Sequence, residues 1–246
     1  MSNAALMVIA HRGASSYAPE NTLAAFDLAL QMGVSQFELD VHLSSDNHVV
    51  VIHDDSLKRT TNADGWVNNH TLAALKELDA GSWFGTQFID EQLPSLDEVL
   101  ARYKGRVHLH IELKGESTTL ALRTADLIRK HGMEGQVTMT SFQKERLEEM
   151  RRYAPELPTA WLVIAARSSI IEQARQLGLS QLCPLANFVT ANLVKRIHNE
   201  GLIVRAWGVK TENLMHKAVQ AGVDGMTVNF PDKLIAYLDS QKRLWK

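Results

Sequence analysis

Short β-rich runs alternate with amphipathic helical runs from one end of the chain to the other, and this alternation limits the fold more than any other feature. Strand-like runs occupy 6–10, 36–43, 107–113, 136–140, 159–163, 179–183, 203–207 and 225–228. Helical runs occupy 22–32, 95–103, 118–131, 144–153, 168–177, 190–199, 212–221 and 231–238. Each helix must return the chain to the start of the next strand, so the strands run parallel. Eight such pairs in 246 residues match the roughly 250 residues of a closed (β/α)8 TIM barrel, an α/β fold. An open doubly wound sheet is the rival. It would place a glycine-rich phosphate loop after the first strand, and His11-Arg12-Gly13-Ala14 is not one.

Local signals agree with this reading. Leu23, Phe26 and Leu30 give the first helix one buried stripe, as Leu193 and Ile197 do for a later one. Gly33, Gly132, Gly178, Gly201 and Gly222 stand where left-handed helix caps belong. One segment breaks the rhythm. About fifty residues separate the second strand from the helix at 95, beginning with a short extra strand at 49–52. Residues from about 58 to 93 are expected to form an insertion over the barrel mouth within a single domain spanning 1–246. Ser2-Asn3-Ala4 reads like a cloning remnant and stays outside the fold argument.

Composition narrows the function. With 26 Lys+Arg against 28 Asp+Glu, the chain lacks the basic excess of a nucleic-acid or anionic-membrane binder. No stretch approaches the roughly 20 apolar residues of a membrane span. Residues 1–10 are too short, and lack the basic start, for a signal peptide, so a cytoplasmic address is expected. The single cysteine, Cys183, cannot form an internal disulfide and reads as a small buried hydrophobe.

In such a barrel the active site forms at the C-terminal strand ends. The first strand ends in His11-Arg12. The second reads Phe37-Glu38-Leu39-Asp40-Val41-His42, and alternation puts both acids on one face. The third reads His108-Leu109-His110-Ile111-Glu112-Leu113-Lys114, with His, His, Glu and Lys on one face. A barrel strand should be apolar on both faces. Three carboxylates converging on neighbouring strands are costly unless compensated. A hard divalent cation, Mg2+ or Ca2+, would compensate them; a structural ion network of Glu38 and Asp40 with Arg12 and Lys114 would do so too. His11 and His53 bracket the cluster and suit proton transfer at a phosphate. His108 and His110 are expected deeper in the barrel, with His110 supporting the acids.

Taken in order, His11-Arg12-Gly13, Pro19-Glu20-Asn21-Thr22, Glu38-Leu39-Asp40-Val41-His42-Leu43, Val50-Val51-Ile52-His53-Asp54, Arg59-Thr60-Thr61, Leu78-Asp79-Ala80-Gly81-Ser82-Trp83, Pro94-Ser95-Leu96, Ile111-Glu112-Leu113-Lys114 and Gly222-Val223-Asp224-Gly225 resemble the glycerophosphodiester phosphodiesterase family. The resemblance spans nearly the whole chain. It implies a (β/α)8 barrel that hydrolyses glycerophosphodiesters to glycerol 3-phosphate and an alcohol with one divalent cation. By the same resemblance His11 and His53 match the acid–base pair, Glu38, Asp40 and Glu112 the metal ligands, Arg12 and Lys114 the basic residues near the phosphate, and Trp207 a tryptophan lining the site.

The chain departs from the family pattern at three places. Trp207-Gly208-Val209-Lys210 replaces Trp-Thr-Val-Asn, Val228-Asn229-Phe230-Pro231-Asp232 lacks the usual Thr-Asp, and Asn62-Ala63-Asp64-Gly65 replaces a shorter Asn-Gly. These bear on substrate-side contacts. The head-group alcohol is expected to project toward the insertion, where Trp83 and Phe84 either wall it or simply pack. A phosphoinositide- or sphingolipid-directed phospholipase of the same barrel type would share the acids and histidines. A non-catalytic barrel would have lost one or more of them, and all are present.

Overall fold

The computed structural model describes residues 6–115 and 117–244; the Ser2-Asn3-Ala4 segment lies outside the described residues. In chain order the elements are β1 (Met7–His11), α1 (Leu23–Gln31), β2 (Gln36–Leu43), β3 (Val49–Val51), α2 (Leu72–Lys76), α3 (Leu96–Tyr103), β4 (His108–Leu113), α4 (Leu120–His131), β5 (Val137–Ser141), α5 (Lys144–Tyr153), β6 (Thr159–Val163), α6 (Ser168–Gln176), β7 (Gln181–Pro184), α7 (Ala191–Asn199), β8 (Ile203–Val209), α8 (Glu212–Ala221), β9 (Gly225–Val228) and α9 (Pro231–Leu244). The strand order β1-β9-β8-β7-β6-β5-β4-β2, closed by pairing of β1 with β2, is an eight-stranded parallel barrel. Helices between the strands complete the TIM barrel read from the sequence. β3 adds antiparallel to β2, with Val41 opposite Val51.

Helix starts follow from local chemistry. Thr22, Thr190 and Thr211 each cap a helix by accepting a hydrogen bond from a backbone amide three residues on. Ser95 and Glu98 form a reciprocal capping box on α3. The Thr22 cap fixes the start of α1 at Leu23, with Pro19 shortly before it. At the other end of the chain, α9 runs six residues beyond the expected stop at 238, since the polar tail carries no glycine or proline to end it.

Apolar residues fill the layer between the outward faces of the strands and the helices. Phe26 stacks on Phe37 at 5.7 Å, and Tyr103 meets Phe37 edge-on at 5.4 Å, all fully buried. Each such ring contributes about 2–3 kcal/mol by leaving water. Inside the barrel the pattern inverts: Glu38, Asp40, His110, Glu112, Thr140 and Arg205 are buried polar groups. Residues 58–93 pack around Leu57, Val67, Leu75, Ala80 and Leu93, a small apolar cluster with Val50 and Ile52 beneath it. Among the described residues no helix is long and apolar enough to cross a membrane.

Candidate functional site

Strand register assembles the site. His11 pairs with Glu38 across β1 and β2, and Asp40 pairs with Glu112 across β2 and β4. Side chains two apart on a strand share a face, so Glu38, Asp40 and Glu112 converge inside the barrel. One ligand oxygen from each lies within 4.8 Å of the others, and all three side chains are buried. Three acids held this close demand compensation.

The compensation is uneven. Arg12 Nε lies 3.0 Å and Lys114 Nζ 3.4 Å from opposite oxygens of Asp40. Asn21 Nδ2 donates to Asp40 at 2.9 Å. Although burial works against ionisation, Arg12 and Lys114 hold the Asp40 carboxyl down at about 2. Glu112 keeps one contact, to Lys114 Nζ at 2.7 Å. Burial and the neighbouring Asp40 charge raise it to about 7. Glu38 receives the Arg12 backbone amide at 3.1 Å. Burial, Asp40 and Glu112 push its carboxyl well above the usual range. The structural ion network and the acid cluster are therefore both present, centred on different acids. Asp40 Oδ1 is buried without a hydrogen bond. An oxygen-only donor set with two under-compensated carboxyls fits a hard divalent cation.

Both histidines reach this cluster. His11 Nε2 lies 3.8 Å from Glu38, and its Nδ1 bonds Asn229 Oδ1 at 2.6 Å. Desolvation, with Arg12 alongside, lowers the His11 imidazole to about 4. His53 Nδ1 bonds Asp54 Oδ1 at 2.5 Å. Desolvation is also the largest influence on His53 and lowers it, with Arg12 and Lys114 adding to the effect.

Several site residues escaped the sequence reading. Glu20 accepts from Arg12 Nη1 at 2.8 Å and from both Nη groups of Arg59 at 2.8 Å. Arg59 also bonds Asp54 through Nε at 2.6 Å, so a continuous ion-pair chain links Arg12 to the partner of His53. Only the Pro19–Thr22 and Arg59–Thr61 blocks of the family resemblance hinted at these residues. The backbone is unusual in the same place, with Arg12 at φ 55° and Asn21 at φ 60°. Gly13 has φ 81°, and a Cβ there would lie 2.6 Å from the backbone of Ala25.

Trp207 reaches the mouth from β8, beside a bulge between Ala206 and Val209. Its Nε1 donates to Val163 O at 3.0 Å, and its ring meets Phe142 edge-on at 4.9 Å. Gly208 explains the departure from Trp-Thr-Val-Asn. It adopts φ 69°, and a Cβ would lie 2.5 Å from Leu185 Cδ1. His110 does not support the acids. Its Nε2 bonds Gln36 Oε1 at 3.0 Å, one register step below Glu112.

Two cavities meet at His53 and Lys114. One, of about 250 Å3, sits in the barrel mouth among His11, Arg12, Glu38, Glu112, Trp207 and Arg205. The other, of about 500 Å3, opens outward past His42, Asp54, Asp55 and Gln143. Trp83 and Phe84 line neither. Trp83 packs edge-on to Phe84 at 5.5 Å, and Phe84 packs on Phe88, so the pair serves the insertion's own packing.

Comparison with known proteins follows from this geometry. Residues 11–233 match the glycerophosphoryl diester phosphodiesterase family. A glycerophosphodiester phosphodiesterase of Bacillus subtilis is 34% identical over 247 residues, covering 92% of this chain and 84% of the relative. Another, of Caldanaerobacter subterraneus, is 34% identical and covers 93% and 96%. An Oleispira antarctica phosphodiesterase, solved in complex with its product sn-glycerol-3-phosphate, is similar with a TM-score of 0.88 at 34% identity, covering 94% of this chain and 96% of that one.

Proposed function

The chain belongs to the glycerophosphoryl diester phosphodiesterase family and is an enzyme of that class, a phosphoric diester hydrolase; from that premise we propose that it cleaves glycerophosphodiesters such as glycerophosphocholine and glycerophosphoethanolamine to sn-glycerol 3-phosphate and an alcohol, using one divalent cation and two histidines. The observation that carries the proposal is the buried triad Glu38, Asp40 and Glu112, whose ligand oxygens lie within 4.8 Å of one another between His11 and His53.

Glu38, Asp40 and Glu112 would hold the cation, Mg2+ or Ca2+. When bound, it supplies positive charge against the phosphate oxygens as negative charge grows there. Arg12 and Lys114 add fixed donors at the same place, and preorganised charge stabilises the transition state more than the ground state. Their ion pairs with Asp40, Glu20 and Glu112 keep both side chains in position before substrate arrives. His11 and His53 handle protons. One imidazole, neutral, accepts the proton of the attacking oxygen, and the other, protonated, gives its proton to the departing head-group alkoxide as its bond to phosphorus breaks. Asn229 Oδ1 and Asp54 Oδ1 accept from the two Nδ1 atoms and leave each Nε2 for this work. The substrate is a small molecule. Its glycerol end takes the smaller cavity against Trp207, and the head group faces the outward cleft.

Incubation with glycerophosphocholine and Mg2+ or Ca2+ tests the reading. Release of glycerol 3-phosphate and choline, stopped by a chelator, is the expected result. Release of phosphocholine and glycerol instead, or no product with any divalent ion, overturns it.

A further inference from the structure

Arg205 is a buried cation without a counter-ion. It is 1% exposed, at the centre of β8, and forms no ion pair with any described carboxylate. Its Nη1 donates to Thr227 Oγ1 at 3.2 Å, while Nε and Nη2 have no hydrogen-bond partner. Its charge is felt by His108, His110 and the Cys183 thiol, none of them an anion. A guanidinium keeps its charge and its five donors at every working pH. Leaving such donors dry and unpaired is among the costliest arrangements in a protein interior. A sequence tolerates it where something else supplies the acceptor.

The position of Arg205 says what that acceptor is. In the closed strand order, β8 stands diametrically across the barrel from β4, with three strands between them on either side. The acids and Lys114 therefore hold one wall of the 250 Å3 cavity and Arg205 lines it from the opposite wall. Leu162, Trp207, Thr227 and Lys210 also line the cavity, and Phe142 lies under the Lys114 ammonium at 5.6 Å. A phosphate fixed beside Arg12 and Lys114 points one substituent across this 250 Å3 cavity, while the other leaves by the 500 Å3 cleft beyond His53. The smaller space suits the small, constant glycerol, and the larger cleft suits a variable head group.

Resting on the function proposed above, we propose that Arg205 is a specificity-determining residue whose guanidinium, in the cavity wall, donates to the terminal hydroxyl of the substrate's glycerol, the oxygen farthest from the phosphate. Trp207, two residues on along the same strand, covers the carbon face of the glycerol. The glycerol 2-hydroxyl, nearer the phosphate, is out of reach of this contact.

The test compares two diesters in the intact enzyme with its activating cation: glycerophosphocholine, and the analogue whose terminal glycerol hydroxyl is replaced by hydrogen. Both release choline, and the analogue keeps the 2-hydroxyl. Wild type should prefer glycerophosphocholine by ~100-fold or more in kcat/KM, because a site built around a hydroxyl strongly rejects a substrate lacking it. Arg205→Met and Arg205→Lys should each lower kcat/KM for glycerophosphocholine by ~30-fold or more. The analogue should change by less than about threefold, and the cation titration should not move. Arg205→Met should also keep or raise Tm, since it removes an uncompensated buried charge. The assignment is overturned if wild type does not discriminate, if both variants slow the two diesters alike, or if they slow neither. Wild type that hydrolyses no glycerophosphodiester at all would remove the functional reading, and Arg205's role with it.

Discussion

Cation binding should be linked to proton release in the neutral pH range, because Glu112 must be ionised to act as a ligand. Its carboxyl is raised to about 7 by burial and the Asp40 charge. It is then about half ionised at pH 7, ~10% at pH 6 and ~90% at pH 8. If the ion takes only the carboxylate, apparent affinity for Mg2+ or Ca2+ falls ~10-fold from pH 8 to pH 6, equivalent to about 1.4 kcal/mol. Glu38 is pushed up for the same reasons and adds to the change in the same direction. His11, at about 4, does not titrate in this range. Asp40, at about 2, stays ionised throughout. Isothermal titration at pH 6, 7 and 8, in two buffers of different ionisation enthalpy, measures the affinity and the protons released. Glu112→Gln should weaken binding and flatten the pH dependence. Affinity constant within twofold over this range, with heats independent of buffer, would refute the argument that the two glutamates compete for too little positive charge.

Other expectations follow from the same contacts. His11→Ala or His53→Ala should lower kcat by ~10²–10⁴-fold while circular dichroism and cation affinity stay unchanged; near-normal turnover in either would break the proton-transfer assignment. Asn229→Asp should raise the His11 pKa, because a carboxylate at 2.6 Å favours the charged ring, and the acid limb of the kcat/KM–pH profile should move upward. An unmoved limb would mean that Asn229 does not govern His11. Gly208→Ala should cost about 1–3 kcal/mol in urea unfolding, since φ is 69° and the new Cβ meets Leu185 at 2.5 Å. It should also raise KM through Trp207; unchanged stability would show that the bulge tolerates a side chain.

The barrel was legible because its signals are local and repeated. Alternating apolar strands, amphipathic helices and glycine caps recur along the chain, and β2, β6 and β9 fall on the expected residues. The inward acids could be read for the same reason, since Glu38, Asp40 and Glu112 put three like charges where barrel strands are ordinarily apolar. The supporting shell was not legible. Asn229 meets His11 across 218 positions, and Arg59 meets Glu20 across 39. No periodicity records such pairs, which arise only when the barrel closes. The role of Gly208 was hidden likewise, because the sequence shows a missing threonine but not the left-handed backbone or the Leu185 side chain that excludes it.

From residues alone, a cation site and a structural ion network compete to explain the same buried acids. The structure removes the competition by dividing the charges. Arg12 and Lys114 both approach Asp40, at 3.0 and 3.4 Å, and that one carboxylate takes most of the available compensation. Glu112 shares Lys114, and Glu38 has only a backbone amide and a histidine edge. Had the acids been there for stability, the economical arrangement would pair each with its own cation, or replace them with apolar residues, which often costs nothing. Concentrating two cations on the middle acid does the opposite. It keeps Asp40 ionised at any working pH and leaves its neighbours short of positive charge on the side that faces the cavity. A divalent ion, as proposed above, would satisfy both glutamates at once. On that proposal the ion network shapes the site, and Lys114→Gln, which removes a positive charge 2.7 Å from Glu112 and 3.4 Å from Asp40, should raise cation affinity at pH 8, where the acids are ionised; lowered affinity there would show that Lys114 positions the ligands rather than competing with the ion.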